Sequence, residues 1–208
     1  RDLHVEILSA GAGNNGASLV QNNVAGEDPS GRLSFNSGSG IDAVGTVQWD
    51  GNDVGGGRGT ENLDFDGLNG ADLVNQEGCP ATGCDRFNFL YYNSDASGEA
   101  LWSFTIGLYT SETVYTEFDL VATPLLFPAP PVLSELLFSD FTSNVDGNAC
   151  GQITGFANAS VIAKRCGGAS SGGSPIAVAG ALPVDVTNLG AAYISFNTPN
   201  AAGVTTLN

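Results

Sequence analysis

Apolar residues two apart recur along this chain, and that period decides the fold class. Between Leu101 and Tyr109 the side chains of Trp102, Phe104, Ile106 and Leu108 fall on one face of an extended backbone. Residues 113–121 repeat the pattern with Val114, Phe118 and Leu120, and the short link Thr110-Ser111-Glu112 predicts a hairpin between the two. At the N-terminus Leu3, Val5 and Ile7 alternate with His4 and Glu6. Further strands are expected near residues 19–24, at 32–37 with Leu33 and Phe35 inward, and at 43–49 with Val47 and Trp49 toward the core. Phe87, Phe89 and Tyr91 mark another, and residues 152–156, 160–164, 176–182 and 191–196 complete the set. Only Val132 to Phe141 offers helical spacing, through Leu133, Leu136, Leu137 and Phe141, and it reads equally as an apolar strand. The expectation is an all-β chain: a β-sandwich or jelly-roll-like body of ten or more strands, long glycine-rich loops and at most one short helix.

At 208 residues and 42% hydrophobic, the chain can bury a core as a single domain over residues 1–208. The one boundary signal is residues 123–131, TPLLFPAPP, where four prolines fix the backbone and remove ladder donors. The charge changes at the same place. Residues 1–131 hold 18 acids against 4 bases, a balance of −14, and residues 132–208 hold 4 acids against 2 bases, a balance of −2. A net charge of −16 with one lysine, Lys164, excludes nucleic acid as a natural partner, because phosphate binding needs clustered cations. An anionic membrane surface is disfavoured for the same reason. No apolar run approaches the roughly 18–20 residues of a membrane span.

A chain that starts at Arg1 and contains no Met reads as a mature product whose leader has been removed. Its four cysteines then read as two local disulfides, Cys79–Cys84 within CPATGC and Cys150–Cys166 bracketing a hairpin, although spacing alone permits three pairings. Zinc sites favour tighter CxxC spacing with His partners. Disulfides imply an oxidising, extracellular or cell-surface location.

The most unusual stretch is Gln48 to Gly78. It carries Asp50, Asp53, Glu61, Asp64, Asp66, Asp72 and Glu77 against Arg58 alone, with seven glycines between Gly51 and Gly70. Within it, DFDGLNGADL places oxygen ligands at Asp64, Asp66, Asn69 and Asp72, with Asp50 and Asp53 available to complete a site. Calcium takes six to eight oxygens and cancels the repulsion of close carboxylates. The loop departs from the EF-hand pattern, having no third acid in place and no Glu twelve residues on. A solvated acidic surface loop accounts for the same residues.

No catalytic constellation emerges. His4 is the only histidine, and on an N-terminal strand it reads as a surface residue rather than the base of a triad. The many acids supply carboxylate pairs without a glycosidase context. GGGRG at residues 55–59 lacks the Lys-Ser/Thr of a phosphate loop. Asn158-Ala159-Ser160 is a formal glycosylation triplet of the sort chance provides. Tyr91, Tyr92, Tyr109 and Tyr115 offer a carbohydrate platform, and strand packing explains them as well.

The run RLSFNSGSG, VGTVQWDGNDV and LDFDGLNGADL, within roughly residues 1–120, resembles secreted bacterial surface proteins of unassigned function with β-sandwich folds. The resemblance implies an exported location and no chemistry. The functional expectation is therefore a non-enzymatic extracellular structural protein, a filament, sheath or matrix subunit whose partners are copies of itself. A calcium-dependent carbohydrate-binding or adhesion module is the second reading. For assembly, the strand bearing Leu3, Val5 and Ile7 stands before the glycine-rich AGAGNNGAS, so it either completes a neighbour's sheet or pairs within its own.

Overall fold

A computed structural model of the chain describes residues 2–10, 17–22, 32–37, 41–51, 57, 59–91, 102–122, 132–142, 159–166 and 184–197. The strands expected at 152–156 and 176–182, the connector 123–131, Cys150 and Asp53 lie outside the described residues.

The fold is all-β, with one short helix among the described residues. Its strands are β1 (Asp2–Ala10), β2 (Ala17–Asn22), β3 (Arg32–Ser37), β4 (Ile41–Trp49), β5 (Arg86–Tyr91), β6 (Trp102–Ser111), β7 (Val114–Ala122) and β8 (Val132–Leu137). The helix α1 (Phe138–Thr142), β9 (Ala159–Cys166) and β10 (Ala191–Asn197) follow. Six strands form one antiparallel sheet in the order β1-β4-β10-β6-β7-β9, and β2–β3 and β5–β8 form two antiparallel pairs. Strand β10 lies between β4 and β6, so chain from both sides of residues 123–131 shares this sheet. The expected hairpin is β6–β7, in register from Trp102↔Ala122 to Tyr109↔Tyr115, with a bulge beside the Glu112–Thr113 turn. Strand β1 pairs with β4 of its own subunit, placing Leu3, Val5 and Ile7 opposite Val47, Gly45 and Ala43.

Both readings of residues 132–141 hold, each for half of the stretch. Residues 132–137 pair with β5, and the ladder ends where Arg86 meets Leu137. Asp140 Oδ2 then accepts the Leu137 N–H at 3.2 Å and the Asp85 carbonyl accepts the Phe138 N–H at 2.8 Å, turning the chain into α1. The turn drives Phe138 and Phe141 into the core.

The sheet has two unlike faces. One presents Ile106, Leu108, Phe118 and Leu120, which pack with Leu136, Phe138 and Phe141 and with Val184, Val186 and Leu189 of the segment leading into β10. Phe118 meets Phe141 edge-on with centroids 4.7 Å apart. Each fully buried side chain of this kind stabilises the fold by about 1.5–3 kcal/mol. Thr116 ties the layers, donating to the Phe141 carbonyl at 2.9 Å and accepting the Val184 N–H at 3.4 Å. The opposite face is polar and yet buried: Thr46, Gln48, Thr105, Glu117 and Ser195 are each at most 8% exposed.

Candidate functional site

Among the described residues, Gly57 and residues 59–78 form a lid that covers the polar face as far as Phe65 and packs on the apolar core from Leu68 to Val74. The side chain of Gln48, 1% exposed, uses its whole amide to hold it. Nε2 donates to the Gly59 and Glu61 carbonyls, both at 2.9 Å, and Oε1 accepts the Gly57 N–H at 3.0 Å. Thr46 Oγ1 accepts the Gly59 N–H at 3.2 Å and lies 3.2 Å from Ser195 Oγ. Leu63 and Phe65 then pack on Tyr109, Tyr115 and Tyr193. Farther along, the Leu68, Ala71 and Leu73 N–H groups donate to the Gly190, Leu189 and Val186 carbonyls, zipping the lid along the segment before β10.

The carboxylates build this loop. Asp50 is fully buried, and its Oδ2 accepts the Asp64 N–H at 3.0 Å. Asp64 Oδ1 accepts the Asp66 N–H at 3.1 Å. Asp72 Oδ1 accepts the Val74 and Asn75 N–H groups at 2.8 and 3.0 Å, while Oδ2 accepts the Asn75 side-chain amide at 2.7 Å. The Asn75 side chain first, then its backbone, holds the Asp72 carboxyl below its ordinary value. Backbone contact closes the loop, because a Cβ at Gly67 would stand 1.4 Å from the Asp50 carbonyl oxygen. Asn69 sits in the left-handed region at φ 50° and is exposed. The structure thus brings Asp50, Asp64 and Asp66 together by hydrogen bonding, while Asp72 serves a separate turn. Among the described residues no group of three or more His, Cys, Asp or Glu side chains stands close enough to hold a metal ion. Calcium also draws on backbone carbonyls.

Beyond the lid, Cys79 and Cys84 are joined by a disulfide with Cα atoms 5.1 Å apart. The Cys84 N–H donates to the Val74 carbonyl at 2.7 Å, and Cys84 packs against the apolar core. Of the other expected pair, Cys166 ends β9 opposite Thr116 and Cys150 lies outside the described residues. Arg86 bridges Asp85 and Glu135 at 2.7 and 2.9 Å, which holds its guanidinium charged.

Beneath the lid lies an arrangement that alternation did not single out. Glu117 Oε1 accepts both the Tyr193 hydroxyl, at 2.7 Å, and the Tyr109 hydroxyl. Gly107 makes this possible: it is the register partner of both Tyr193 and Glu117, and a Cβ there would meet Tyr193 Cε1 at 2.3 Å. The Tyr193 ring therefore lies across the glycine to reach the next strand. Burial, then the charge of Glu117, pushes the Tyr109 phenol above its ordinary 10.0. Tyr109 stacks on Tyr115 with centroids 5.1 Å apart, and Phe65 of the lid tilts against it at 5.0 Å. One row runs in register across all six strands: Asp2, Gln48, Tyr193, Gly107, Glu117 and Arg165. His4 falls in the next row, opposite Thr46.

Chemically, the carboxylates and phenols here hold elements together. The signal that points to them is the second half of the alternation on β6 and β7, where a glycine faces a glutamate between tyrosines. No family model, curated relative or solved structure matches this chain.

Proposed function

We propose that this chain is a non-enzymatic extracellular structural protein, a subunit of a surface filament, sheath or matrix assembled from copies of itself through β-strand contacts. The observation that carries the reading is the six-stranded antiparallel sheet, whose end strands among the described residues are β1 and β9. End strands carry backbone N–H and C=O groups that pair with another strand wherever one fits. The Cys79–Cys84 disulfide is compatible with export, and among the described residues no helix is long and apolar enough to cross a membrane. Electron microscopy and sedimentation of native material test the proposal. Ordered polymers or discrete oligomers are expected, and monomers at every concentration would overturn it.

A calcium-dependent carbohydrate-binding or adhesion module is the second reading, favoured by the linkage of Asp50, Asp64 and Asp66 in one loop. Calorimetric titration with calcium decides it: saturable binding that chelator reverses supports this reading, and no heat removes it.

A further inference from the structure

We infer that copies of this chain join edge to edge, with the acidic strand β1 of one copy pairing antiparallel with the basic strand β9 of the next. The inference rests on the proposal that the chain assembles, and it names the surfaces that do so.

Topology supplies the geometry. Among the described residues the sheet has six strands, all antiparallel, so its two end strands, β1 and β9, run in opposite directions. A second copy set beside the first with the same face up therefore brings β1 against β9 as an antiparallel pair, continuing the ladder as β7 and β9 already do. Repeating that step leaves no closed ring in a flat sheet and gives an open row.

Charge supplies the selection. The chain has six Lys and Arg residues against 22 Asp and Glu, so most contacts between copies set acid against acid. Strand β9 is an exception, carrying Lys164 and Arg165, whereas β1 carries Asp2 and Glu6. Register sharpens the match. The row that starts at Asp2 on β1 ends at Arg165 on β9. Extended in register into the next copy, it places Arg165 opposite the neighbour's Asp2, on the same face of a continuous sheet. Opposite charges directly across an antiparallel pair are favourable and like charges are not. Lys164 lies on the other face, opposite Phe118 in register.

A charge exchange on the full chain tests this. Asp2→Lys sets cation against cation at the contact, and Arg165→Glu sets acid against acid. Each variant alone is expected to lose sedimenting assemblies, Asp2→Lys while its circular dichroism remains that of the parent. An equimolar mixture is expected to recover them, because the altered β1 of one variant now matches the altered β9 of the other. Arg165 stands opposite Glu117, so Arg165→Glu can also weaken the fold. Asp2→Lys is free of that difficulty and must lose assembly by itself, and parent assembly must weaken as salt rises. If the parent assembles and Asp2→Lys assembles equally well, edge pairing is wrong and assembly through another surface stands. If the parent never associates, the assembly proposal fails and this inference with it.

Discussion

On one face of the six-stranded sheet, Ile106, Leu108, Phe118 and Leu120 meet the second layer through carbon alone. On the other, Gln48, Thr46, Glu117, Tyr193 and Ser195 are as deeply buried but meet their neighbours through hydrogen bonds. The difference lies in what each face demands. Apolar packing asks for volume and period, and many side chains meet it. A buried polar face asks that each donor find a named acceptor, because a group left without one bears its full desolvation penalty. The apolar face therefore sets how strongly the layers hold together. The polar face sets which segment covers the sheet and in what position, since only a chain offering N–H and C=O groups where Gly57, Gly59 and Glu61 do satisfies the Gln48 amide.

The largest effect should come from the apolar face. Phe118 is fully buried and packs edge-on against Phe141. Phe118→Ala removes that volume from a close-packed layer and is expected to lower stability by about 3–5 kcal/mol, read as a fall in the denaturant midpoint. A loss below about 1 kcal/mol would mean that the layer is loosely packed and the contrast between the faces is overstated.

Glu117→Ala breaks the polar face at its centre, leaving the Tyr109 and Tyr193 hydroxyls without this acceptor. The expected loss is about 1–3 kcal/mol, smaller than for Phe118, and it should be largely abolished when both tyrosines are phenylalanine. A triple variant as unstable as the single would show that the phenols do not depend on Glu117.

Alkaline pH sharpens the same comparison without mutation. The Tyr109 phenol has a folded value raised above 10.0, so folding favours its neutral form. That contribution is fully present below the unfolded value of 10.0 and is lost as pH rises above it, because the unfolded chain then releases a proton that the fold retains. Unfolding should thus become easier above about pH 10, with tyrosinate absorbance appearing together with loss of structure. In Tyr109→Phe the alkaline slope should be shallower. Equal slopes would place the effect elsewhere.

Much of this was open to a reader of residues. Although β8 reads equally as a helix, nine of the ten strands among the described residues follow from alternation, as Trp102 to Leu108 and Val114 to Leu120 show with their own period. Strand order did not, because the placing of β10 between β4 and β6 depends on pairings such as Ile194 with Val47 and Ile106, far away in the chain. The polar face was hidden for a different reason. Thr105, Glu117 and Ser195 occupy the positions that alternation assigns to water, and nothing local reveals that a lid covers them. The acidic loop shows the converse ambiguity, since Asp64, Asp66 and Asp72 suit ligands and turns alike.

Asp72 therefore carries the smallest and most discriminating prediction. Its carboxylate organises the turn at Val74 and Asn75, and its acidity is raised by those bonds, the Asn75 side chain first. A carboxyl depressed by folding contributes above its unfolded value of 3.8 and loses that contribution as pH falls through the folded value. Asp72→Ala should accordingly lower the melting temperature slightly at neutral pH and leave it unchanged in strong acid. The site lies on the surface, where water screens the charge, so the shift should be far smaller than for Phe118 or Glu117. Calcium separates the two uses of this residue. If Asp72 only builds the turn, adding calcium or chelator should leave the small difference between parent and variant as it was. If Asp72 also ligates an ion, calcium should raise the melting temperature of the parent and not that of the variant, enlarging the difference by mass action.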